Sequence, residues 1–455
     1  MLYRAVVASF IASTAAFSGD ALLSKFEAWK KEHGKTYETS AALTAAMTAF
    51  AANEEIINTH NAKGLSYTLG HNKFSDMTWD QFRSTHMSEL FTNKAPKNMN
   101  RVHITEGGNK VADEMDWVTK GAVTPIKDQQ RCGSCWAFST TGSMEGAYQI
   151  ATGQLLSFSE EDLVQCDHNG DQGCQGGLMD NAFDWIKSNG ICLEADYPYT
   201  SGGGVTGTCV KGCKAVATNT GHSDVPARDE AALKSAVAMG PVSVAIEADK
   251  SAFQLYKSGV LDNSACGTQL DHGVLVVGYG TDASLSKDYW KVKNSWGQTW
   301  GEEGYIRMVQ GKNQCGIASQ ASYPTGVKAM GPVPPSPSPT PPSPTPPSPP
   351  STTHYGDPAA GCLSDETEIT IQGTTGDFCS PKCGLFKKCP TDVPAGVSAA
   401  PQCALSDSAS SQKYCALICS PTAEIKDQKA ADAQCGTNAS CKSLQMGVGI
   451  CTYDD

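Results

Sequence analysis

Two cysteines three residues apart, Cys132 and Cys135, lie in the stretch QQRCGSCWAFST. Such a pair can hold zinc, cycle between dithiol and disulfide, or divide its duties, one sulfur a cross-link and the other a nucleophile. Zinc would need a second close pair or histidines at ligand spacing. Cys209 and Cys213 are the candidate, but their surroundings, TSGGGVTGTCVKGCKA, read as a stapled loop. A redox pair would follow a strand in a small α/β unit, whereas the proline-led polar run TPIKDQQR precedes this one. The third option fits the local sequence best. Ser134 can cap a helix running through Trp136, Phe138, Met144, Tyr148 and Ile150 to Gly153. Cys135 then occupies the first turn, where the positive end of the helix favours a thiolate. Nine cysteines fall in this globular segment; nine is odd, so if the others pair, one thiol stays free.

CGSCW, with His272 about 140 residues further on, is similar to the papain and cathepsin L family of thiol proteases. LDHGVLVVGYG (270–280) and KNSWGQTWGEEGYIRM (293–308) match that family's histidine and asparagine blocks, and the resemblance spans roughly residues 25–324. It implies an α+β fold of two lobes, one helical and one β-barrel-like, with Cys135 on one wall of the cleft and His272 and Asn294 on the other. By the same resemblance Cys135 is the nucleophile and His272 the imidazolium that ionises it and protonates the leaving amine. Asn294 orients the histidine, Gln129 supplies a side-chain donor to the oxyanion hole, and Trp296 shields the His–Asn bond from water. Taken singly, each of these residues has an ordinary structural reading; the constellation carries the assignment. The resemblance further implies disulfides Cys132–Cys174, Cys166–Cys209 and Cys266–Cys315. Cys192 and Cys213 are additions that can pair with each other, and exchange of Cys209 with Cys213 stays open.

Two departures stand out. Gln130 replaces the usual glycine beside the oxyanion donor, and TDASLSKD lengthens a hairpin between strands expected at 273–280 and 289–294. Gly176 and Gly177, in CQGG, match the strip along which an extended substrate pairs, and a turn beside a disulfide is compatible with that role. Leu178, Met179, Ala245, Leu270 and Gly273, with Asp271 alongside, surround the pocket for the second residue before the scissile bond; Gln320 aligns with its floor. A neutral floor favours Leu, Phe or Val there.

The elements that must position these residues follow a clear order. Residues 1–18 read as a signal peptide: Arg4, an apolar run too short to span a bilayer, then small residues. Residues 19–110 resemble the inhibitory prodomain of the family. Phe50, Asn53, Ile57 and Asn61 keep its spacing on one helical face, and GHNKFSD (70–76) matches its second motif. The usual ion pair of that helix is replaced by Ala42 and Ala46, which leaves its internal support in question. Residues 111–325 form the peptidase domain, helical to about Asn189 and strand-rich beyond, with processing expected between 109 and 114. Residues 326–356 are a Pro/Ser-rich linker, extended because proline lacks a donor. Residues 357–455 form a small disulfide-rich module with ten cysteines and an Asn438 glycosylation sequon. Its spacings Cys379-x3-Cys383-x5-Cys389 and Cys415-x3-Cys419-x15-Cys435-x5-Cys441 hint at an internal repeat.

Nineteen cysteines and the leader point to the secretory pathway, ending in a lysosome, vacuole or the extracellular space. The net charge of −12 argues against nucleic acid as a partner. No membrane anchor, metal or organic cofactor is implied. The expected partners are protein or peptide substrates, the chain's own prodomain, and an unknown ligand of the C-terminal module. Two other readings compete with the zymogen of a cysteine endopeptidase: a secreted binding protein acting through its Cys-rich tail with the protease as passenger, and an inhibitor acting through the prodomain. Retention of Cys135, His272, Asn294 and Gln129 together argues against both.

Overall fold

The computed structural model describes residues 21–87, 102–103, 111–331 except 211 and 249, and shorter runs within 353–453. The expected leader, most of the linker, residues 109–110 of the expected processing region and the Asn438 sequon lie outside the described residues. The chain divides into two units, Met1–Ser336 and Pro337–Asp455, each considered by itself.

In the first unit an N-terminal segment contributes α1 (21–32), α2 (Ser40–Asn61), β1 (Tyr67–Leu69) and α3 (Trp79–His86). The Thr39 hydroxyl accepts from the Ala42 N–H to start α2, and Thr78 and Gln81 form a reciprocal capping box on α3. Phe50, Asn53 and Ile57 lie on the buried face of α2. The Asn53 amide donates to the carbonyls of Ser75 and Met77, and Asn61 exchanges two hydrogen bonds with Leu69. The charge support missing at Ala42 and Ala46 is supplied further along the same helix, at Glu54. Glu54 pairs with Lys25 and with His71, whose ring stacks on Phe50 at 3.9 Å, while Ala46 packs among Phe26, Trp29 and Phe50.

The helical part of the peptidase region holds α4 (Cys135–Thr152), α5 (Glu160–Cys166) and α6 (Met179–Asn189). Gly153, at φ 78°, terminates α4 in the left-handed conformation, as its position predicts. Nearly every side of α4 is buried, because it lies between the helical core around Trp136, Tyr148, Phe158 and Phe183 and the sheet. The sheet half contains β2 (Met115–Asp116), β3 (Ala217–Thr218), β4 (Gly221–Asp224), α7 (Glu230–Met239), β5 (Val242–Ile246), α8 (Ser251–Gln254), β6 (Tyr256–Leu261), β7 (His272–Asp282), β8 (Lys287–Lys293), β9 (Tyr305–Val309), β10 (Ala321–Thr325) and β11 (Lys328–Ala329). The large sheet runs β1-β6-β9-β8-β7-β5-β10-β4, with β2 also on β7. The N-terminal segment thus docks partly by strand addition, β1 antiparallel to β6. The hairpin of the insertion continues β7 and β8 in register through Asp282 and Lys287.

One helix of the strand-rich half escapes a reading by composition. In α7, Asp229 caps through the Ala232 N–H, and Ala232, Leu233, Ala236 and Val237 face the core at helical spacing.

The second unit is a six-stranded antiparallel sheet of β12 (Glu366–Thr370), β13 (Asp377–Pro381), β14 (Ala400–Ser406), β15 (Lys413–Cys419), β16 (Ala439–Leu444) and β17 (Val448–Tyr453). Cys415, Cys419, Cys435, Cys441 and Cys451 supply much of its interior. Its bridges are Cys362–Cys379, Cys383–Cys403, Cys389–Cys415, Cys419–Cys441 and Cys435–Cys451. The connectivity does not follow the spacing repeat throughout: Cys389 bonds across to Cys415, whereas Cys441 bonds back to Cys419.

Candidate active site

Cys135 is the first residue of α4, fully buried, and the free cysteine among the described residues. Its neighbour Cys132 is bonded to Cys174, so the two sulfurs of CGSC have separate fates. Ser134 precedes the helix but does not cap it with its side chain. Its hydroxyl instead meets the Tyr199 phenol at 2.8 Å, and Tyr199 in turn donates to the Gln129 carbonyl. The Ser134 carbonyl, not its hydroxyl, accepts the Ala137 and Phe138 N–H groups, while the Cys135 and Trp136 N–H groups act on the thiol.

His272 opens β7, and Asn294 follows the last residue of β8; their adjacency is a direct result of the hairpin register, which pairs Leu275 with Lys293. His272 Nε2 donates to Asn294 Oδ1 at 2.8 Å, which leaves Nδ1 as the acceptor nitrogen, buried and without a hydrogen-bond partner. The Trp296 ring covers this pair, its centroid 4.7 Å from the imidazole. The next residue, Gly273, reaches Cys135: a Cβ there would stand 3.3 Å from the Cys135 carbonyl group and from the Met179 sulfur. Burial pushes the Cys135 thiol up to about 12, with the N–H groups of Gly273 and Trp136 acting in the opposite sense and the Asp271 charge adding to the rise. Burial likewise pushes His272 down to about 4, partly offset by the Asn294 bond. Burial thus works against the charged form of each group.

Gln129 is fully buried. Its carbonyl oxygen accepts from Ser295 Oγ at 2.7 Å, which fixes the amide with its NH2 toward the cleft. That NH2 donates to the Cys132 carbonyl at 3.0 Å and to the His86 carbonyl of the N-terminal segment at 3.3 Å. Ser295 and Tyr199 were not singled out by the sequence, although Ser295 lies inside the NSW block. Gln130 adopts φ 54°, the region where glycine is favoured, which explains why its position is ordinarily glycine.

Leu178, Met179, Ala245 and Leu270 belong to one apolar cluster, with Met179, Ala245 and Leu270 buried and Gly273 beside the Met179 sulfur. The backbone carbonyl of Gln320 accepts from the Ala245 N–H, placing Gln320 next to this cluster, with its side-chain oxygen buried and unpartnered. Asp271 turns away to accept the Ala248 N–H. The two glycines of CQGG do different things. Gly176 has φ 115°, whereas a Cβ on Gly177 would lie 2.5 Å from the Trp136 indole. The close approach that requires glycine at 177 is to the protein's own tryptophan.

The N-terminal segment fills the opposite side of this cleft. Phe74, Phe82 and His86 contact Trp296 edge to face, with ring centroids at 5.4, 5.2 and 6.4 Å. The groove that remains, about 670 Å³, has Arg131, Gly133, Gln175 and Leu270 on one side and Arg83, Thr85 and Met87 on the other. Asn72 of the second prodomain motif anchors the arrangement by donating to the Gln254 carbonyl, and Lys73 pairs with Asp128, one residue before Gln129. The remaining bridges of this unit are Cys166–Cys209, Cys192–Cys213 and Cys266–Cys315.

Residues 111–325 match the papain family cysteine protease, and residues 26–82 match the cathepsin propeptide inhibitor domain. Cysteine proteinase RD21A of Arabidopsis thaliana is 44% identical over 339 residues, covering 72% of this chain and 72% of its own. Cathepsin L of Sarcophaga peregrina is 45% identical over 333 residues, covering 70% of this chain and 97% of its own. Among solved structures, the proform of the ragweed pollen allergen Amb a 11, a cysteine protease, superposes with a TM-score of 0.61 at 36% identity, over 68% of this chain and 95% of that one. Procathepsin L 3 from the larval midgut of Tenebrio molitor gives 0.60 at 36% identity, over 67% and 99%.

Proposed function

We propose a residue-level mechanism for this chain, which belongs to the papain family of cysteine proteases and is a cysteine endopeptidase made as a zymogen with its own inhibitory prodomain. Cys135 is the nucleophile. The observation that carries this is a free, buried thiol at a helix N-terminus, beside a strand whose first residue is an imidazole oriented by Asn294 with its other nitrogen unpartnered. A proton passed from sulfur to Nδ1 creates both charges at once, so each offsets the hydration the other has lost. The thiolate then attacks the scissile carbonyl carbon, forming a C–S bond and a tetrahedral oxyanion. The Gln129 amide and the Cys135 N–H receive that oxygen. His272 returns its proton to the amine as the C–N bond breaks, and afterwards takes one from the water that hydrolyses the acyl-enzyme.

The same reading assigns 19–110 to the prodomain, 111–325 to the catalytic domain and 326–356 to a linker before the C-terminal module 357–455. The buried side chains Met179, Ala245 and Leu270 support an apolar preference two residues before the scissile bond. Residues 1–18 as a leader support a secretory route to a lysosome-like, vacuolar or extracellular destination. Among the described residues no helix is long and apolar enough to cross a membrane. The test is chemical. After acid processing, an epoxysuccinyl thiol-protease inhibitor should modify Cys135 alone, as read by peptide mass mapping; labelling elsewhere, or none, overturns the assignment.

Release of the prodomain has a titratable element in His86. This side chain is 4% exposed, packed against Phe74, Phe82 and Trp296, and held by the Thr85 hydroxyl at 2.7 Å and the Phe82 carbonyl. Burial, then the neighbouring Lys73 and Arg131 charges, push it down to about 3 against the Phe82 carbonyl bond, which favours the protonated ring. A released segment regains an ordinary histidine value near 6.5. Docking is therefore at full strength above about pH 6.5 and weakens as pH falls toward 3, because the free segment gains a proton that the docked one refuses. His71, also lowered by burial despite its Glu54 partner, acts in the same sense. Glu54, held at about 2 by Lys25, His71 and Asn58 against its burial, loses its contribution only below about pH 4.5. Processing of the full chain should accelerate between pH 7 and 4.5, and His86→Gln should remove roughly tenfold of that acceleration. A His86→Gln chain with the full wild-type ratio of rates would exclude this role.

A further inference from the structure

Away from the cleft, α6 and β4 bring three carboxylates around one imidazole. His222, on β4, has a side chain only 10% exposed, and its Nδ1 is buried without a hydrogen-bond partner, 3.4 Å from Asp184 Oδ1. Its Nε2 faces Asp224 Oδ1 at 3.7 Å. Ligand atoms from Asp180, His222 and Asp224 all lie within 4.8 Å of one another. Asp180 and Asp184 stand one turn apart on α6, so both project toward β4. The Phe183 ring lies 30° from the plane of the imidazole at 6.2 Å, and Ser322 Oγ donates to Asp180 Oδ1 at 2.6 Å, which holds that carboxylate in place.

We propose that Asp180, His222 and Asp224 form a binding site for a first-row divalent transition metal, with zinc the fitting ion, and that Asp184 orients the histidine from behind. The spacing supports this. A carboxylate 3.7 Å from a ring nitrogen is too far for a good hydrogen bond. Two ligands each about 2.0–2.1 Å from one tetrahedral ion are separated by roughly 3.3 Å, so small side-chain shifts close the site. A carboxylate on the second ring nitrogen of a liganding histidine is a recurring arrangement that fixes the tautomer and raises ligand basicity. One imidazole with two carboxylates suits zinc and its neighbours rather than calcium, which takes six to eight oxygens. The side chain of Asp184 is 40% exposed, so an ion can enter from solvent. Bound metal would tie α6, whose first residue Met179 lines the substrate pocket, to the β4–β10 edge of the sheet half.

The test uses the full-length chain carrying Cys135→Ala, which prevents self-cleavage and removes the free thiol as a competing ligand. After chelator treatment, zinc chloride titrated by calorimetry at pH 7 should bind one ion per chain and raise Tm, while calcium chloride should do neither. His222→Gln and Asp224→Asn should each weaken zinc binding at least about a hundredfold, and Asp184→Asn about ten- to a hundredfold. No saturable zinc binding, or binding unchanged by His222→Gln, overturns the site and leaves His222 as an ion-pair clamp. If His222→Gln does not fold, X-ray absorption of the zinc-loaded Cys135→Ala chain decides. One nitrogen with oxygen ligands, lost in Asp224→Asn, supports the site; several nitrogens, or a spectrum indifferent to that change, reject it.

Discussion

Cys135→Ala and His272→Ala should each reduce kcat/KM on a Phe-Arg peptide substrate by about four orders of magnitude or more, and the double variant should lose little beyond either single one. The non-additivity is the informative part. Burial disfavours the charged form of each group alone, pushing the thiol up and the imidazole down, so each charge relies on the other to offset its lost hydration. Removing either one removes the ion pair entirely. Asn294→Ala should behave differently. It deletes the acceptor that holds the imidazole in the tautomer with Nδ1 unprotonated, but it leaves both reacting groups, so a smaller loss in kcat is expected. Initial rates on acid-processed enzyme, with active sites counted by epoxysuccinyl titration, separate these cases. If Cys135→Ala and His272→Ala multiplied each other's losses, the paired-charge account would fail.

The proposed catalytic constellation was legible because CGSCW, LDHGVLVVGYG and KNSWGQTWGEEGYIRM match the motifs of a known family in the right order. The odd count of nine cysteines left one thiol free if the others paired, and Cys135 is the free one among the described residues. What could not be read was geometry that depends on contacts far apart in sequence. Ser134 looks like a helix cap, yet its hydroxyl is taken by Tyr199, sixty-five positions away. Gly177 reads as part of a substrate strip, and the fold adds a second demand for glycine there, the indole of Trp136. The absent ion pair at Ala42 and Ala46 cast doubt on α2, and only the folded chain shows Lys25, Glu54 and His71 meeting beside Phe50. α7 was obscured by strong neighbouring strands, although its Asp cap and its apolar spacing were present. The tail's connectivity was closed to inference, since ten cysteines admit many pairings, while its reliance on cross-links was plain from composition.

In the proposed mechanism, inhibition and catalysis make opposite demands on one amide, that of Gln129. Its NH2 donates to the His86 carbonyl in the proform, and in turnover the same donor would meet the oxyanion. Gln129→Ala should therefore lower kcat by about 10²–10³, the cost typical of losing one oxyanion donor, with KM little changed because the interaction strengthens only as charge develops. The same substitution should weaken the prodomain as an inhibitor by a smaller factor, roughly tenfold or less, because there it loses a long hydrogen bond to a neutral carbonyl. Gln129→Glu should be worse than alanine for catalysis, since a carboxylate repels the oxyanion, while Ser295 would still find an acceptor. Ser295→Ala isolates the positioning contribution: it frees the amide to rotate without removing it, so kcat should fall by less than in Gln129→Ala. Kinetics of the processed variants, and inhibition constants for added prodomain, measure the two effects on the same preparations. A Gln129→Ala enzyme with near-normal kcat would show that the oxyanion is held elsewhere, and that the buried amide serves only to seat the prodomain.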